Sequence, residues 1–219
     1  MPRSEIPPTP DAPSSEPESS PKPSAAEQSR SARIGAVLFR NRSWLPVPFL
    51  LVTLLVPARP SLIAWIVGAV PIIIGEAIRL AGVAAAGTVT RRRSRNVQRL
   101  VTYGIFRWVR NPLYVGNFLI WMGFVVISGV WWFIPVAMLL FAAEYTLIVR
   151  YEEGVLESIF GQEYIDYKKT TPRWLPRPPK ERESGPHDWS EAWRSEISTF
   201  LQYIAIAAAF AVKQRVWWQ

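Results

Sequence analysis

Two short segments carry residue types that could bind a charged ligand and act on it. The first is residues 110–116, Arg-Asn-Pro-Leu-Tyr-Val-Gly. Pro112 favours the first turn of a helix, and Asn111 then occupies the N-cap position. The free backbone N–H groups of that helix start, together with the forked cation of Arg110, could bind a carboxylate. Tyr114 would lie about one turn further into the same helix.

The second segment is residues 150–153, Arg-Tyr-Glu-Glu, at the end of a long apolar run. Two adjacent carboxylates beside an apolar cavity can hold a sulfonium, an ammonium or ribose hydroxyls.

The composition excludes several other chemistries. The chain of 219 residues has no cysteine and a single histidine, His187. Disulfides, thiolate nucleophiles and multi-histidine or cysteine-ligated metal sites are therefore excluded. A formal charge of +8 leaves two partners open, nucleic acid or an anionic membrane surface.

The elements that must position these residues are apolar helices. A span needs about 20 mostly apolar residues, and the sequence has five apolar runs, at residues 44–57, 61–86, 113–130, 131–149 and 197–212. They predict an all-α polytopic membrane bundle of about five transmembrane helices. Because the first and last runs are short, four spans with one interfacial segment is the nearest alternative.

Basic residues divide unevenly among the connections. They concentrate before the first run, between the second and third, and between the fourth and fifth. This asymmetry predicts a multi-pass protein with the N-terminus and both long loops in the cytoplasm. The positive charge then reflects topology and anionic headgroups, and since no nucleic-acid-binding motif accompanies it, we expect no nucleic-acid partner.

Outside the spans, composition predicts two further features. Residues 1–32 are rich in proline and serine and predict a disordered cytoplasmic tail, with residues 33–219 as the membrane domain. After the fourth run, apolar side chains recur at helical spacing, which predicts a short amphipathic helix lying against the bundle. Its members are Leu156, Phe160, Tyr164 and Tyr167.

Three ionisable residues lie within the apolar runs. Glu76 and Arg79 are three residues apart, so they share a helix face and are expected to pair. Glu144 lies in the last turns of the fourth run. Such residues often mark function, but an ion pair that fixes helix packing explains the first two equally well.

Residues 110–116, followed by Glu152-Glu153, resemble the Arg-His-Pro-x-Tyr-x-Gly … Glu-Glu signature of integral-membrane methyltransferases. These include the isoprenylcysteine carboxyl and phospholipid methyltransferases. Residues 160–176 are similar to the stretch that follows in bacterial members, and the resemblance covers residues 75–176. It implies an S-adenosylmethionine site at the cytoplasmic ends of the third and fourth spans. The cofactor-binding residues carried over are Gly104, Arg110, Asn111, Tyr114, Gly116, Glu152 and Glu153.

Two positions differ from the family pattern. Asn111 replaces the histidine of the signature, and an asparagine can still cap the helix and donate a hydrogen bond. Ile148 replaces an arginine that eukaryotic prenylcysteine enzymes carry one turn before the glutamates. The second difference argues against prenylcysteine itself as the acceptor.

The resemblance predicts methyl transfer from S-adenosylmethionine to a lipophilic acceptor at the cytoplasmic face, in a bacterial inner membrane. The acceptor would be an isoprenylcysteine-like carboxylate or a lipid headgroup, with Glu152, Arg150 and Arg173 as catalytic residues. The expected partners are this lipophilic or lipid-modified substrate and membrane lipids, without a metal. Two other classes stay open: a sterol-reductase-like NADPH oxidoreductase and a non-catalytic membrane scaffold.

Overall fold

The computed structural model describes residues 30–87, 99–179 and 185–216. Within these ranges the chain is all-helical, which confirms the predicted fold class. The predicted tail lies outside them except for its last three residues, which belong to the first helix. The α-helices are α1 (Arg30–Arg40), α2 (Pro46–Leu55), α3 (Leu62–Ala86), α4 (Pro112–Ile127), α5 (Phe133–Phe160), α6 (Gln162–Thr170) and α7 (Trp189–Val216), and a 3-10 helix (Gly104–Arg107) precedes α4.

Each predicted apolar run coincides with a helix, but the lengths differ from the expectation. In the described part of the chain, α3, α5 and α7 are long and apolar enough to cross a membrane. α2 and α4 are apolar but have only 10 and 16 residues. The chain is thus a membrane protein with three candidate spans, and a total of five stays a prediction.

Glycines allow α3 and α4 to pack with their backbones in contact. A Cβ added to Gly75 would lie 2.6 Å from the Gly116 carbonyl oxygen, and one on Gly68 would lie 2.5 Å from that of Gly123. The residue numbers in these pairs fall along α3 as they rise along α4, so the two helices are antiparallel. Small residues at such seams let membrane helices approach closely where lipid gives little hydrophobic driving force. This seam fixes the start of α4, and with it residues 110–116, against α3.

α5 lies at the centre of the largest apolar cluster. Phe141 is buried and its ring packs 4.5 Å from that of Phe49 on α2, measured between centroids. On another face of α5, Gly35 of α1 lies directly against the Leu147 carbonyl and the Tyr151 side chain. α1, α2 and α4 therefore hold α5 and the residues that it carries.

α5 continues eleven residues past the end of the fourth apolar run and stops at Gly161. Gly161 has φ +53°, a left-handed conformation that suits glycine and ends a helix. The pattern expected to form one amphipathic helix is therefore divided. Leu156 and Phe160 lie on α5, whereas Tyr164 and Tyr167 lie on α6 and are buried. The expectation of one helix was wrong because the helical spacing of the apolar side chains continues across Gly161, where one helix ends and the next begins.

Candidate active site

The loop before α4 is held by the segment around α6. The Arg110 backbone N–H donates to the Pro172 carbonyl at 2.9 Å, and the Arg177 N–H donates to the Trp108 carbonyl at 3.0 Å. The Tyr167 hydroxyl donates to the Phe106 carbonyl at 2.6 Å. Burial raises the pKa of the Tyr167 phenol well above 10, so the hydroxyl keeps this proton at neutral pH. These bonds bring together two segments about 60 residues apart in sequence.

Arg110, Glu153 and Arg173 form a closed ionic cluster. Arg110 donates from Nε and Nη2 to Oε1 of Glu153, at 3.2 and 3.0 Å. Arg173 donates to the same carboxylate from Nε at 3.1 Å and from Nη2 at 2.6 Å. The remaining nitrogen of Arg110, Nη1, donates to the carbonyls of Lys168 and Thr171. Both oxygens of Glu153 are thus engaged by arginines and the side chain is buried, so the cluster joins the start of α4, α5 and the segment after α6.

Asn111 lies at the N-cap position of α4, directly before Pro112, as the sequence predicts. Its side chain does not cap the helix, however. It turns away and donates from Nδ2 to the Arg173 carbonyl at 3.1 Å, so the expected side-chain cap was wrong. The amide is used instead to hold the segment that supplies Arg173.

Glu152 has different surroundings from Glu153. Its side chain is 28% exposed, and Oε1 lies 3.8 Å from Nη1 of Arg42, in the turn after α1. The Tyr114 side chain lies next to the same carboxylate, and the centroid of its ring lies 5.0 Å from that of Tyr145. The tyrosine of the heptapeptide and one of the twin glutamates therefore share one side of the bundle. Glu152 is the glutamate that remains accessible to a ligand.

The two glycines predicted to line a cofactor contact protein atoms. A Cβ on Gly104, which has φ +61°, would lie 2.6 Å from Nε2 of His187. A Cβ on Gly116 would lie 2.6 Å from Cγ of Arg79 as well as from Gly75 on α3. Gly116 thus allows α3 to approach α4, and Gly104 allows the segment before α7 to pack on the loop. Direct contact of either with a cofactor stays a prediction.

The two arginines predicted to be catalytic differ in their surroundings. Arg173 lies in the ionic cluster with its side chain 35% exposed, whereas Arg150 is exposed on α5. Arg42, which the sequence pattern did not single out, is the arginine found beside Glu152. The signal that could have drawn attention to it is its spacing from Phe39, whose ring lies 4.3 Å below the guanidinium.

Behind the site, the charged residues of α3 form a buried polar network with α4 and α7. Nε of Arg79 lies 3.5 Å from Oε2 of Glu76, which confirms the expected pair. Nη2 of Arg79 also donates to both oxygens of Glu196 at 3.0 Å, and Nη1 donates to Asn117. Tyr203 donates to Glu76 at 2.7 Å. Glu144 is the third ionisable residue expected within the apolar runs. One of its carboxylate oxygens is buried without a hydrogen-bond partner among the residues described.

Asn117 links this network to the site, because its side chain lies close to that of Tyr145. A continuous series of contacts therefore runs from α7 through Arg79, Asn117 and Tyr145 to Tyr114. Glu196 and Asn117 were missed from the sequence because neither stands out from ordinary polar residues of a helix.

Comparison with known proteins supports the resemblance seen in the sequence. Residues 63–163 match the family described as phospholipid methyltransferase, a range that includes the heptapeptide and both glutamates. We call this matched range the methyltransferase domain, after the family that it is similar to. This domain comprises α3, α4 and α5 with their connections, while Arg42, Arg173 and α7 lie outside it.

Relatives of the methyltransferase domain carry more specific names. The chain is 32% identical over 124 residues to the mouse (Mus musculus) protein-S-isoprenylcysteine O-methyltransferase, covering 52% of this chain and 42% of the relative. A probable protein of that name from Oryza sativa subsp. indica is 35% identical over 118 residues, covering 50% and 60%. The Arabidopsis thaliana protein-S-isoprenylcysteine O-methyltransferase A is 34% identical over 117 residues, covering 50% and 57%. This chain thus spans about half the length of these relatives, and no solved structure matches it.

Proposed function

We propose that this chain transfers a methyl group from S-adenosylmethionine to the carboxylate of a lipophilic, isoprenylcysteine-like acceptor at the cytoplasmic face of a membrane. The observation that carries the proposal is that Tyr114 and Glu152 lie next to each other within the methyltransferase domain, with the cation of Arg42 3.8 Å from the same carboxylate. A bacterial inner membrane is the proposed location. The names of the eukaryotic relatives support the reaction class without identifying the organism group.

The described residues fit the proposed cofactor. A sulfonium needs a carboxylate that is not already neutralised, and Glu152, half-buried and loosely paired, meets that need. Glu153 does not, because two arginines already occupy both its oxygens. We therefore assign Glu152 to the cofactor and Glu153 to holding Arg110 and Arg173 in place.

When bound, the cofactor supplies an electrophilic methyl group on a positively charged sulfur. The protein's part is to orient the acceptor in line with that methyl and to exclude water. Tyr114 lies next to Glu152, and the Arg110–Glu153–Arg173 cluster fixes the loop against α5. A carboxylate acceptor arrives ionised, so no base is required. An amine acceptor would instead require Glu152 as the base.

Isothermal titration of the full chain in detergent with S-adenosylhomocysteine tests the cofactor assignment. We expect the wild type to bind, and we expect Glu152→Gln to weaken binding about tenfold or more, because a charge-assisted contact is lost. Glu157→Gln, five residues further along the same helix, is the matched control and should bind as the wild type does.

Absence of binding at millimolar ligand in the wild type would overturn the methyltransferase proposal. A change in nicotinamide fluorescence with the same protein would then favour the reductase class. Binding by Glu152→Gln equal to that of the wild type would remove Glu152 from the site.

A further inference from the structure

The outer face of α1 carries an apolar patch that the described residues leave uncovered. Ile34 and Val37 are 52% and 59% exposed, and because they are three residues apart they share a face of the helix. Trp44, in the turn after α1, is 71% exposed. Exposed apolar patches mark surfaces that contact a membrane or another protein. We call these three residues the α1 patch.

The contacts of α1 with α5 place this patch at one end of a candidate span. A Cβ added to Gly35 would lie 2.4 Å from the Leu147 carbonyl oxygen and 3.0 Å from the Cβ of Tyr151. The apolar run within α5 ends at residue 149, so α1 crosses α5 where apolar residues give way to the charged residues 150–153. Amphipathic helices at this level bury their apolar face among headgroups and acyl chains. Tryptophan is enriched at the same depth, which fits the exposed ring of Trp44.

Two arginines lie beside the α1 patch. Arg33 and Arg40 are exposed, and because they are seven residues apart they project from the same face of α1, about two turns from each other. Val37 lies between them on that face. Within the described ranges neither arginine is paired with a carboxylate. The outer face of α1 therefore combines two uncompensated positive charges with exposed apolar side chains.

An anionic phospholipid satisfies both halves of this surface. Its phosphate matches the forked donors of a guanidinium, and its acyl chains cover apolar side chains at the membrane boundary. A soluble acidic protein could pair with Arg33 and Arg40, but it would not account for a patch at the level where the apolar run of α5 ends. A lipid with no net charge would cover the patch and leave both arginines without a counterion.

We propose that the outer face of α1 binds anionic phospholipid headgroups, with Arg33 and Arg40 on the phosphates and the α1 patch among the adjoining acyl chains. The inner face of the same helix packs on Tyr151, next to Glu152. Lipid bound to the outer face thus holds the N-terminal segment against the candidate site. The inference uses no property of methyl transfer and is tested without it.

A fluorescent label on this surface measures the binding directly. The chain has no cysteine, so an environment-sensitive fluorophore on Val37→Cys reports on α1 alone. The full chain in detergent is titrated with phosphatidylglycerol, with phosphatidylcholine or with inorganic phosphate. We expect a saturable blue shift with phosphatidylglycerol at a lipid fraction about tenfold or more below that for phosphatidylcholine, because each arginine near an anionic surface changes the affinity about fivefold.

Two double variants on the Val37→Cys background locate the charges responsible. Arg33→Gln with Arg40→Gln should raise the half-saturating fraction of phosphatidylglycerol about tenfold or more. Arg177→Gln with Arg194→Gln is the matched control, since it removes two other exposed arginines, and it should stay within about twofold of the labelled parent. Thermal unfolding in phosphatidylcholine checks that each labelled protein is folded.

Four results would overturn the proposal. An equal response to phosphatidylglycerol and phosphatidylcholine would exclude recognition of charge, and an equal loss in both double variants would exclude a site on α1. The same saturation with inorganic phosphate would exclude a lipid as the partner. In nanodiscs, iodide quenching of the Val37→Cys label as strong as that of a label on Glu163→Cys, an exposed position of α6, would show that the α1 patch lies in water.

Discussion

Glu196 of α7 accepts two hydrogen bonds from a single nitrogen of Arg79 on α3, each at 3.0 Å, and it is completely buried. The residues are 117 positions apart. Through this pair the last helix, which lies outside the methyltransferase domain, is attached to α3 of that domain. Because Arg79 also reaches Asn117, and Asn117 reaches Tyr145, the pair supports the wall on which Tyr114 packs.

Replacing Glu196 by glutamine should destabilise the protein strongly. Among the residues that the structure describes, the variant leaves Glu76 as the remaining carboxylate beside the buried charge of Arg79, and breaking a buried ion pair costs about 3 kcal/mol or more. Thermal unfolding in detergent measures the effect, with exposed Glu163→Gln on α6 as the control. Equal midpoints for the two variants would show that α7 is not held by this pair.

How far the sequence predicts these contacts depends on their separation along the chain. Glu76 and Arg79 could be paired beforehand because a helix fixes residues three apart on one face. The start of α4 at Pro112 could also be predicted, because it depends only on neighbouring residues in the sequence. Glu196 could not be assigned to Arg79, since the pairing depends on how α7 packs against α3, and no local pattern encodes that packing.

The site illustrates the same limit. The heptapeptide and the twin glutamates were recognisable as motifs, and the structure brings Tyr114 and Glu152 together. The different surroundings of Glu152 and Glu153 were not predictable, because they depend on arginines from three separate segments. The sequence identifies Arg42 only as one of many arginines that set the membrane topology. Its neighbour Glu152 lies more than a hundred residues away, so no local pattern connects the two.

The glycine seam predicts a sharp steric effect at Gly75. In Gly75→Val the new Cβ would meet the Gly116 carbonyl at 2.6 Å and Cγ1 of Ile120 at 2.9 Å. Neither the backbone carbonyl nor a tightly packed side chain can yield easily, so we expect a loss of about 1–3 kcal/mol in stability. Ala77→Val, on an exposed face of the same helix, controls for the effect of a β-branched residue. If both variants unfolded at the same temperature, close contact along the seam would be excluded.

Alkaline unfolding should depend on Tyr167. Burial raises the pKa of its phenol above the ordinary value of 10 in the folded state. Above pH 10 the unfolded chain therefore loses this proton before the folded chain does, and stability falls as the pH rises. Tyr167→Phe should lower the free energy of unfolding by about 1 kcal/mol at neutral pH, because the hydrogen bond to the Phe106 carbonyl is lost. Above pH 10, however, the stability of this variant should decline less steeply than that of the wild type. Stability curves at pH 7 to 11 measure the difference, and parallel curves would contradict it.

Substitutions of the two adjacent glutamates should have different effects on stability, because we assign one to a ligand and the other contacts two arginines. Glu153→Gln leaves Arg110 and Arg173 around a neutral amide in a buried setting, so we expect a loss of about 3 kcal/mol in stability. Glu152→Gln removes the charge from a long, partly exposed contact with Arg42 and keeps an amide of similar size beside Tyr114, so it should change stability by less than about 1 kcal/mol.

Ligand binding provides the second half of this test. The stability of Glu152→Gln should respond little to added S-adenosylhomocysteine, because a ligand raises the unfolding temperature only as far as it binds the folded state. Glu153→Gln, studied below its own unfolding temperature, should still be stabilised by the ligand, since its carboxylate does not face the site. Thermal shift with and without ligand measures both. The reverse pattern, with Glu153 controlling the ligand response and Glu152 controlling stability, would require the two roles to be exchanged and would place the ligand among the arginines of the buried cluster.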